Sequence, residues 1–403
     1  MLENHIIVRE PVIDAKQKVL GFELSLQGAD GSAPRLEHYS ELAEFLASQL
    51  NRQETGWRLG DAKVHLDTSP LVIASEALLG LPPKSIALSV LAEDFADADM
   101  AAGLAAARAE GSAVLARCAD VGAIDPALLT QATHIEVQFD GSRLPAFSQA
   151  AATLKNASVG MVARGVHSWA DFDFCAGLGI DSLTGNLHTV TKPGSHPKGL
   201  NPAQAMILQL MDMVRKNADV RQLEGVLKRD AGLSYKLLRY INSAGFGLGA
   251  EIQSLKHAVT MLGYSPLYRW LSVLLASASG DGYSPILMQT AVIRGRFAEL
   301  LGKGFVPKSE VDNLFVAGMF SLLDRLLGIS MEEVLEKIQL PEPVCQALLA
   351  REGMYGPFLA LAEACEFGNR DKIGELADSM FISATQVNEA HLEALAWAQS
   401  IKL

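Results

Sequence analysis

The sequence predicts an α/β unit followed by an all-α unit, and three observations carry that expectation. Short β-like runs alternate with amphipathic helical stretches up to residue 190. Downstream of Pro202 apolar residues recur at helical spacing instead, with no convincing alternation of period two. Between the two lies Thr191-Lys-Pro-Gly-Ser-His-Pro-Lys-Gly-Leu-Asn-Pro202, whose prolines and glycines forbid a continuing helix or central strand. The expected division is a barrel domain at 1–190, a linker at 191–202 and a helical domain at 203–403, which suits a chain of 403 residues better than one core.

In the first part, strands are expected at His5–Val12, Val19–Leu26, Lys63–Leu66, Ile86–Leu91, Ala113–Ala116, His134–Phe139, Val159–Val162 and Ile180–Leu183. Helices are expected at Tyr39–Leu50, Leu71–Leu79, Ala98–Glu110, Pro145–Lys155 and Trp169–Leu178. Such alternation implies a parallel sheet or barrel, because each crossover helix covers a sheet face. The first two strands are too close for a crossover, so Asp14-Ala-Lys-Gln-Lys18 reads as a hairpin turn and the barrel opens with an antiparallel pair.

In the second part, Ile207, Leu208, Leu210, Met211 and Val214 make one apolar face; Leu223, Val226 and Leu227 another; Leu233, Leu237, Leu238 and Ile241 a third. Ser330-Met-Glu-Glu333 fits a capping box, and Ser284-Pro285 places proline in a first turn, where its missing N–H costs nothing. Gly245-Phe-Gly-Leu-Gly249 lacks dinucleotide-loop spacing and follows a helix, so it reads as a helix-terminating loop.

Composition narrows the function classes. With 49% hydrophobic and 20% charged residues the chain can bury real cores. The net charge of −12 argues against a protein that grips a nucleic-acid backbone by bulk electrostatics. That charge is uneven: residues 1–196 hold 14 basic and 24 acidic side chains, and 197–403 hold 20 and 22. Four cysteines, Cys118, Cys175, Cys345 and Cys365, show no CxxC spacing, which fits a reducing cytoplasm. The N-terminus lacks the pattern of a signal peptide, and no apolar stretch reaches the roughly 20 residues of a membrane helix.

The zinc-protease helix, the Walker A loop, the nucleophile elbow and the His-Asp doublet of a metal-dependent phosphohydrolase are all absent. No histidine has a helical i,i+4 His or Cys partner, so no metal is expected. His257 reads as an ordinary helical histidine, whereas His167 stands at a strand end beside Arg164. Arg215–Arg239 is locally basic, with Arg215, Lys228, Arg229 and Lys236 among its cations. It reads as the solvated face of two amphipathic helices, with an anionic partner, protein or nucleic acid, as the alternative.

At the opening, Arg9-Glu-Pro-Val-Ile-Asp-Ala-Lys-Gln-Lys-Val-Leu-Gly-Phe-Glu-Leu24 resembles the first hairpin of EAL domains, the cyclic di-GMP phosphodiesterase barrel. Leu237-Leu-Arg-Tyr-Ile-Asn-Ser-Ala-Gly-Phe-Gly247, Ile252-Gln-Ser-Leu-Lys-His-Ala-Val-Thr-Met-Leu-Gly263 and Phe315-Val-Ala-Gly-Met-Phe-Ser-Leu-Leu-Asp324 are similar to HDOD domains, helical relatives of HD phosphohydrolases. The whole chain resembles the bacterial EAL–HDOD signalling family. The fold so implied is a modified (β/α)8, TIM-like barrel followed by an all-helical HDOD domain.

An active EAL site holds two divalent metals on strand-end carboxylates and an amide, and the resemblance carries over only Glu23, a vestige of the Glu-Ala-Leu signature. By the same resemblance Asp67 stands for a metal-binding Asn and Ser89 for a metal-binding Glu. Arg117-Cys118 stands near an Asp-Asp pair, Glu136 for the catalytic Lys, and Arg164 for a Glu. In the helical domain Ser321 and Leu322 occupy the place of the metal-binding doublet, and neither replaces imidazole or carboxylate as a ligand. The expectation is a cytoplasmic scaffold with no catalytic residues, metal or cofactor, acting through signalling proteins whose identity the sequence does not give. The alternatives are residual phosphodiesterase activity, or a non-hydrolysing cyclic di-GMP receptor using Arg117, Arg164 and His167 as an anion site. Membrane insertion is not expected; the oligomeric state is left open, with a homodimer as the alternative that the EAL resemblance offers, since those relatives often dimerise.

Overall fold

The computed structural model describes residues 2–30, 32–52, 56–187, 190, 200–243, 252, 254–278, 284–338, 340–366 and 372–401. The chain divides into two compact units, 1–192 with 364–392, and 193–363 with 393–403.

In the first unit, eight strands close a barrel. They are β1 His5–Ile13, β2 Val19–Gly28, β3 Lys63–Asp67, β4 Ile86–Leu91, β5 Ala113–Cys118, β6 His134–Gln138, β7 Gly160–Arg164 and β8 Ser182–Thr184. β1 runs antiparallel to both β2 and β8, and every other neighbouring pair is parallel. The short turn at Asp14 leaves no room for a crossover, and Asp14 Oδ1 closes it by accepting from the Lys16 and Lys18 amides. The parallel strands are nearly continuous apolar runs, as sheets covered on both faces require, and Ala87, Ala113, Leu115 and Val162 form one buried cluster among them. Helices α1 Leu36–Leu50, α2 Ala98–Glu110, α3 Leu144–Asn156 and α4 Trp169–Leu178 supply the main crossovers. Asp97 and Ser168 cap two of them, accepting from the Met100 and Asp171 amides.

Sequence and structure differ at Leu71–Leu79, which is two four-residue helices, Pro70–Ile73 and Glu76–Leu79, rather than one. A two-stranded pairing of Asn51–Arg52 with Gly56–Trp57 was also unforeseen, being too short to carry a pattern.

The second unit is helical among its described residues. It contains α5 Pro202–Arg215, α6 Val220–Leu227, α7 Ala231–Ser243, α8 Leu255–Leu262, α9 Tyr264–Ser277, α10 Pro285–Gly302 and α11 Val311–Phe320. Four further helices, α12 Leu323–Leu327, α13 Met331–Lys337, α14 Glu342–Ala350 and α15 Gly356–Ala364, follow. Asn201 and Gln204 form a reciprocal capping box at the start of α5, so the C-terminal end of the expected linker opens a helix. Residues 191–199 and the loop Gly245–Gly249 lie outside the described residues. Ser330 caps α13 by accepting from the Glu333 amide at 3.2 Å. α10 and α11 cross closely: a Cβ on Gly318 would stand 2.6 Å from the Arg294 carbonyl.

Residues 364–392, read from the sequence as part of the helical domain, go with the barrel. The reason lies in β1. Its pairing with β8 covers only Val12 and Ile13, so the backbone groups nearer its start need other partners. Asn388, in helix α17 Ala384–Ser400, accepts from the Ile7 amide at 2.7 Å and donates to the His5 carbonyl at 2.8 Å. The Arg9 amide donates to the Cys365 carbonyl at 3.0 Å. The buried Arg9 guanidinium meets Glu366 at 2.7 Å and His391 Nε2 at 2.8 Å, while His391 Nδ1 faces the Ile7 carbonyl at 3.1 Å. Helix α16 Ile373–Ser379 packs so closely that a Cβ on Gly374 would overlap the Ala29 carbonyl. Helical periodicity reports that a face is buried, and says nothing of which core it serves.

Candidate functional site

Parallel register sets the barrel's polar centre. Arg117 of β5 stands beside Glu136 of β6, Gln138 beside Arg164 of β7, and Glu23 of β2 beside His65 of β3. Asp67 ends β3 next to Ser89. The Arg164 guanidinium spans both oxygens of Glu23, at 2.9 and 3.0 Å, and also bonds Glu136. Arg117 reaches Asp67 at 2.7 Å, Glu136 at 3.1 Å and Glu23 at 3.4 Å. Three carboxylates and two guanidiniums thus form one network, most of it out of solvent: the Glu136 side chain is 2% exposed and that of Glu23 9%.

Burial pushes the Glu23 carboxyl above its ordinary value, and Arg164 and Arg117 offset this only in part. Burial also works against the Glu136 carboxylate, but Arg117 and Arg164 together outweigh it and hold that carboxyl below its ordinary value. Burial would lower both arginines, yet Glu23 and Glu136 raise Arg164, and Glu136 and Asp67 raise Arg117. His65 is pushed down to about 4, first by burial, and stays neutral beside them.

The structure therefore brings Glu23, Arg117 and Arg164 together, and adds Asp67 and Glu136 as their counter-charges. His167 is not part of the network; it lies exposed on the loop after β7, with Nδ1 2.7 Å from Asn186 Oδ1. Among the described residues, no group of three or more His, Cys, Asp or Glu side chains could hold a metal ion. A cavity of about 790 Å³ opens beside the network, with Arg117 and Arg164 on its wall.

In the second unit, Ser321 is buried, donates to the Gly318 carbonyl at 2.7 Å and accepts from Arg294 at 3.1 Å. Arg294 in turn pairs with Glu363 at 2.8 Å, and Arg351 holds the same carboxylate at 2.8 and 2.9 Å. Of the basic segment, Arg215 ends α5, Lys228 and Arg229 lie in the turn after α6, and Lys236 is on α7, all exposed. Glu224 draws Lys228 to 3.8 Å. Tyr240 and Trp270 are buried, whereas Tyr235, between these cations, is 67% exposed.

Residues 200–340 match the HDOD domain family. The chain is 29% identical over 203 residues to the cyclic di-GMP phosphodiesterase CdgJ of Vibrio cholerae, covering 50% of this chain and 47% of that protein. It is 28% identical over 195 residues to the uncharacterized protein YuxH of Bacillus subtilis, covering 48% of this chain and 47% of YuxH. The matched stretch spans about half the length of these curated relatives. Among solved structures, a PaMucR phosphodiesterase in complex with cyclic di-GMP aligns with TM-score 0.37 and 18% identity, over 46% of this chain and 95% of that one. Klebsiella pneumoniae BlrP1, in a calcium and cyclic di-GMP complex, aligns with TM-score 0.39 and 16% identity, over 46% of this chain and 55% of that one. Among the described residues no helix is long and apolar enough to cross a membrane. The chain thus carries an HDOD domain, at residues 200–340, C-terminal to an eight-stranded barrel.

Proposed function

We propose that this protein is a non-catalytic scaffold of cyclic di-GMP-related signalling, acting in the cytoplasm by binding other proteins. The observation that carries the reading is the clamp on Glu23: both its oxygens face the Arg164 guanidinium, and Arg117 stands at 3.4 Å. Divalent cations of the kind an EAL enzyme uses do not fit such a centre. A cation entering it would have to displace two guanidiniums that already pair with Glu23, Asp67 and Glu136, and Coulomb repulsion from those guanidiniums opposes that entry. Four free cysteines agree with a reducing compartment.

The test is direct. Full-length protein incubated with cyclic di-GMP and Mg²⁺ or Mn²⁺ is expected to release no linear dinucleotide by chromatography. Turnover that disappears in Glu23→Ala would overturn the reading. A second reading, a receptor that binds cyclic di-GMP without cleaving it, draws on the presence of Arg117 and Arg164 in the cavity wall. Calorimetric binding that weakens in Arg164→Ala would favour it over the first.

A further inference from the structure

Charge is concentrated in one stretch of the helical unit. Residues 215–239 carry seven lysines and arginines against three carboxylates, in a chain whose net charge is −12. Each of the three carboxylates is turned to a backbone amide: Asp219 accepts from Arg221 at 2.8 Å, Glu224 from Lys256 at 3.3 Å and Asp230 from Leu233 at 2.9 Å. Helix α7 buries Leu233, Leu237, Tyr240 and Ile241, and its outward face presents Gly232, Tyr235, Lys236 and Arg239 at helical spacing. Ala231–Ser243 contains no carboxylate at all. Lys228 and Arg229 fill the turn that leads into α7, both exposed, and Glu224 offsets Lys228 at 3.8 Å. Amid these cations the Tyr235 ring stands in solvent.

Such a face repels cations and draws an anionic partner. A nucleic acid carries charge along its whole length and would also meet the acidity of the rest of the chain, whereas an acidic protein segment has to match this patch alone. Tyrosine and arginine are side chains that protein interfaces favour, and the tyrosine ring offers an apolar contact among the charged ones. We propose that the outward face of α7, with the turn before it, docks an acidic segment of a partner protein, its carboxylates against Lys228, Arg229 and Lys236 and an apolar side chain on the Tyr235 ring. The inference rests on the scaffold reading and names the class of partner.

The experiment uses the full chain and three short fluorescein-labelled peptides, alternating glutamate with leucine, glutamate with serine, and lysine with leucine, followed by fluorescence anisotropy. The glutamate–leucine peptide is expected to bind most tightly and the lysine peptide not to bind. Lys228→Glu with Lys236→Glu should weaken binding of the first about tenfold, as the loss and reversal of two exposed charge pairs would. Tyr235→Ser, which leaves every charge in place, should weaken the glutamate–leucine peptide and leave the glutamate–serine peptide unchanged. Lys84→Glu with Lys155→Glu makes the same change of net charge on exposed positions of the barrel unit, and should have little effect. Equal losses in the two double variants, equal binding of the lysine peptide, or no binding of either glutamate peptide would overturn the proposal. So would a labelled RNA or duplex DNA oligonucleotide that binds more tightly than the peptides and is lost in Lys228→Glu with Lys236→Glu, which would make the face a nucleic-acid site. Cyclic di-GMP hydrolysis is measured on the same preparations: turnover that disappears in Glu23→Ala would remove the scaffold reading, whereas no turnover with no site-selective loss would remove only the docking proposal.

Discussion

Arg164 forks between two carboxylates, and Glu136 has almost no access to water. Replacing Arg164 by Ala strands part of that charge, and the expected cost is about 3–5 kcal/mol in a urea unfolding series on the full chain. Arg164→Lys should recover little of it, because an ammonium cannot span both oxygens of Glu23 as a planar guanidinium does. The resemblance pointed to Glu23, Arg117 and Arg164 individually, and marked Glu136 and Asp67 as departures from an enzyme's pattern. Read one at a time, each looks like a loss. Only strand register, with Arg117 beside Glu136 and Gln138 beside Arg164, shows that the departures compensate one another. A residue's partner several strands away leaves no local signal, so the network was not legible before the fold.

Between elements, the crossing of α10 and α11 depends on missing side chains. Gly318→Ala would push a Cβ to 2.6 Å from the Arg294 carbonyl and Gly295 Cα, both of them backbone that cannot swing away. The expected loss is about 1–3 kcal/mol, read as a lower thermal midpoint. Gly225→Ala in α6 meets nothing within 4 Å and should stabilise by up to about 1 kcal/mol through helix propensity, so the pair separates crowding from propensity. At this scale much was readable. All eight barrel strands overlap the expected runs, from His5 to Leu183, because parallel strands buried on both faces stand out as apolar runs. The split at Ala74-Ser75 was not, since Leu71–Leu79 carries a helical pattern that the Ser75 hydroxyl interrupts by bonding the Val72 carbonyl.

Over the whole molecule, one buried and two half-buried histidines tie stability to pH. Burial pushes His65 down to about 4, lowers His134, and holds His391 well below its ordinary value. The unfolded chain takes up protons at these positions as pH falls through about 6.5, while the folded chain does not. Stability should therefore be full above that value and fall steadily toward about pH 4, seen as urea midpoints that decline between neutral and acidic buffers. His391→Gln should flatten that decline. The barrel followed by an HDOD domain was legible from the strand–helix alternation and the helical motifs, but the attachment of residues 364–392 to the barrel was not, since no pattern in Ala384–Ser400 names its host. That attachment also sets an order of events in the cell. A ribosome makes β1 before the other barrel strands, yet the side-chain partners of Ile7 and Arg9 lie 357 to 384 positions later. The nascent barrel must wait, with β1 incompletely paired, while nearly all of the helical unit is translated, so that the earliest-made of its strands is among the last to be secured.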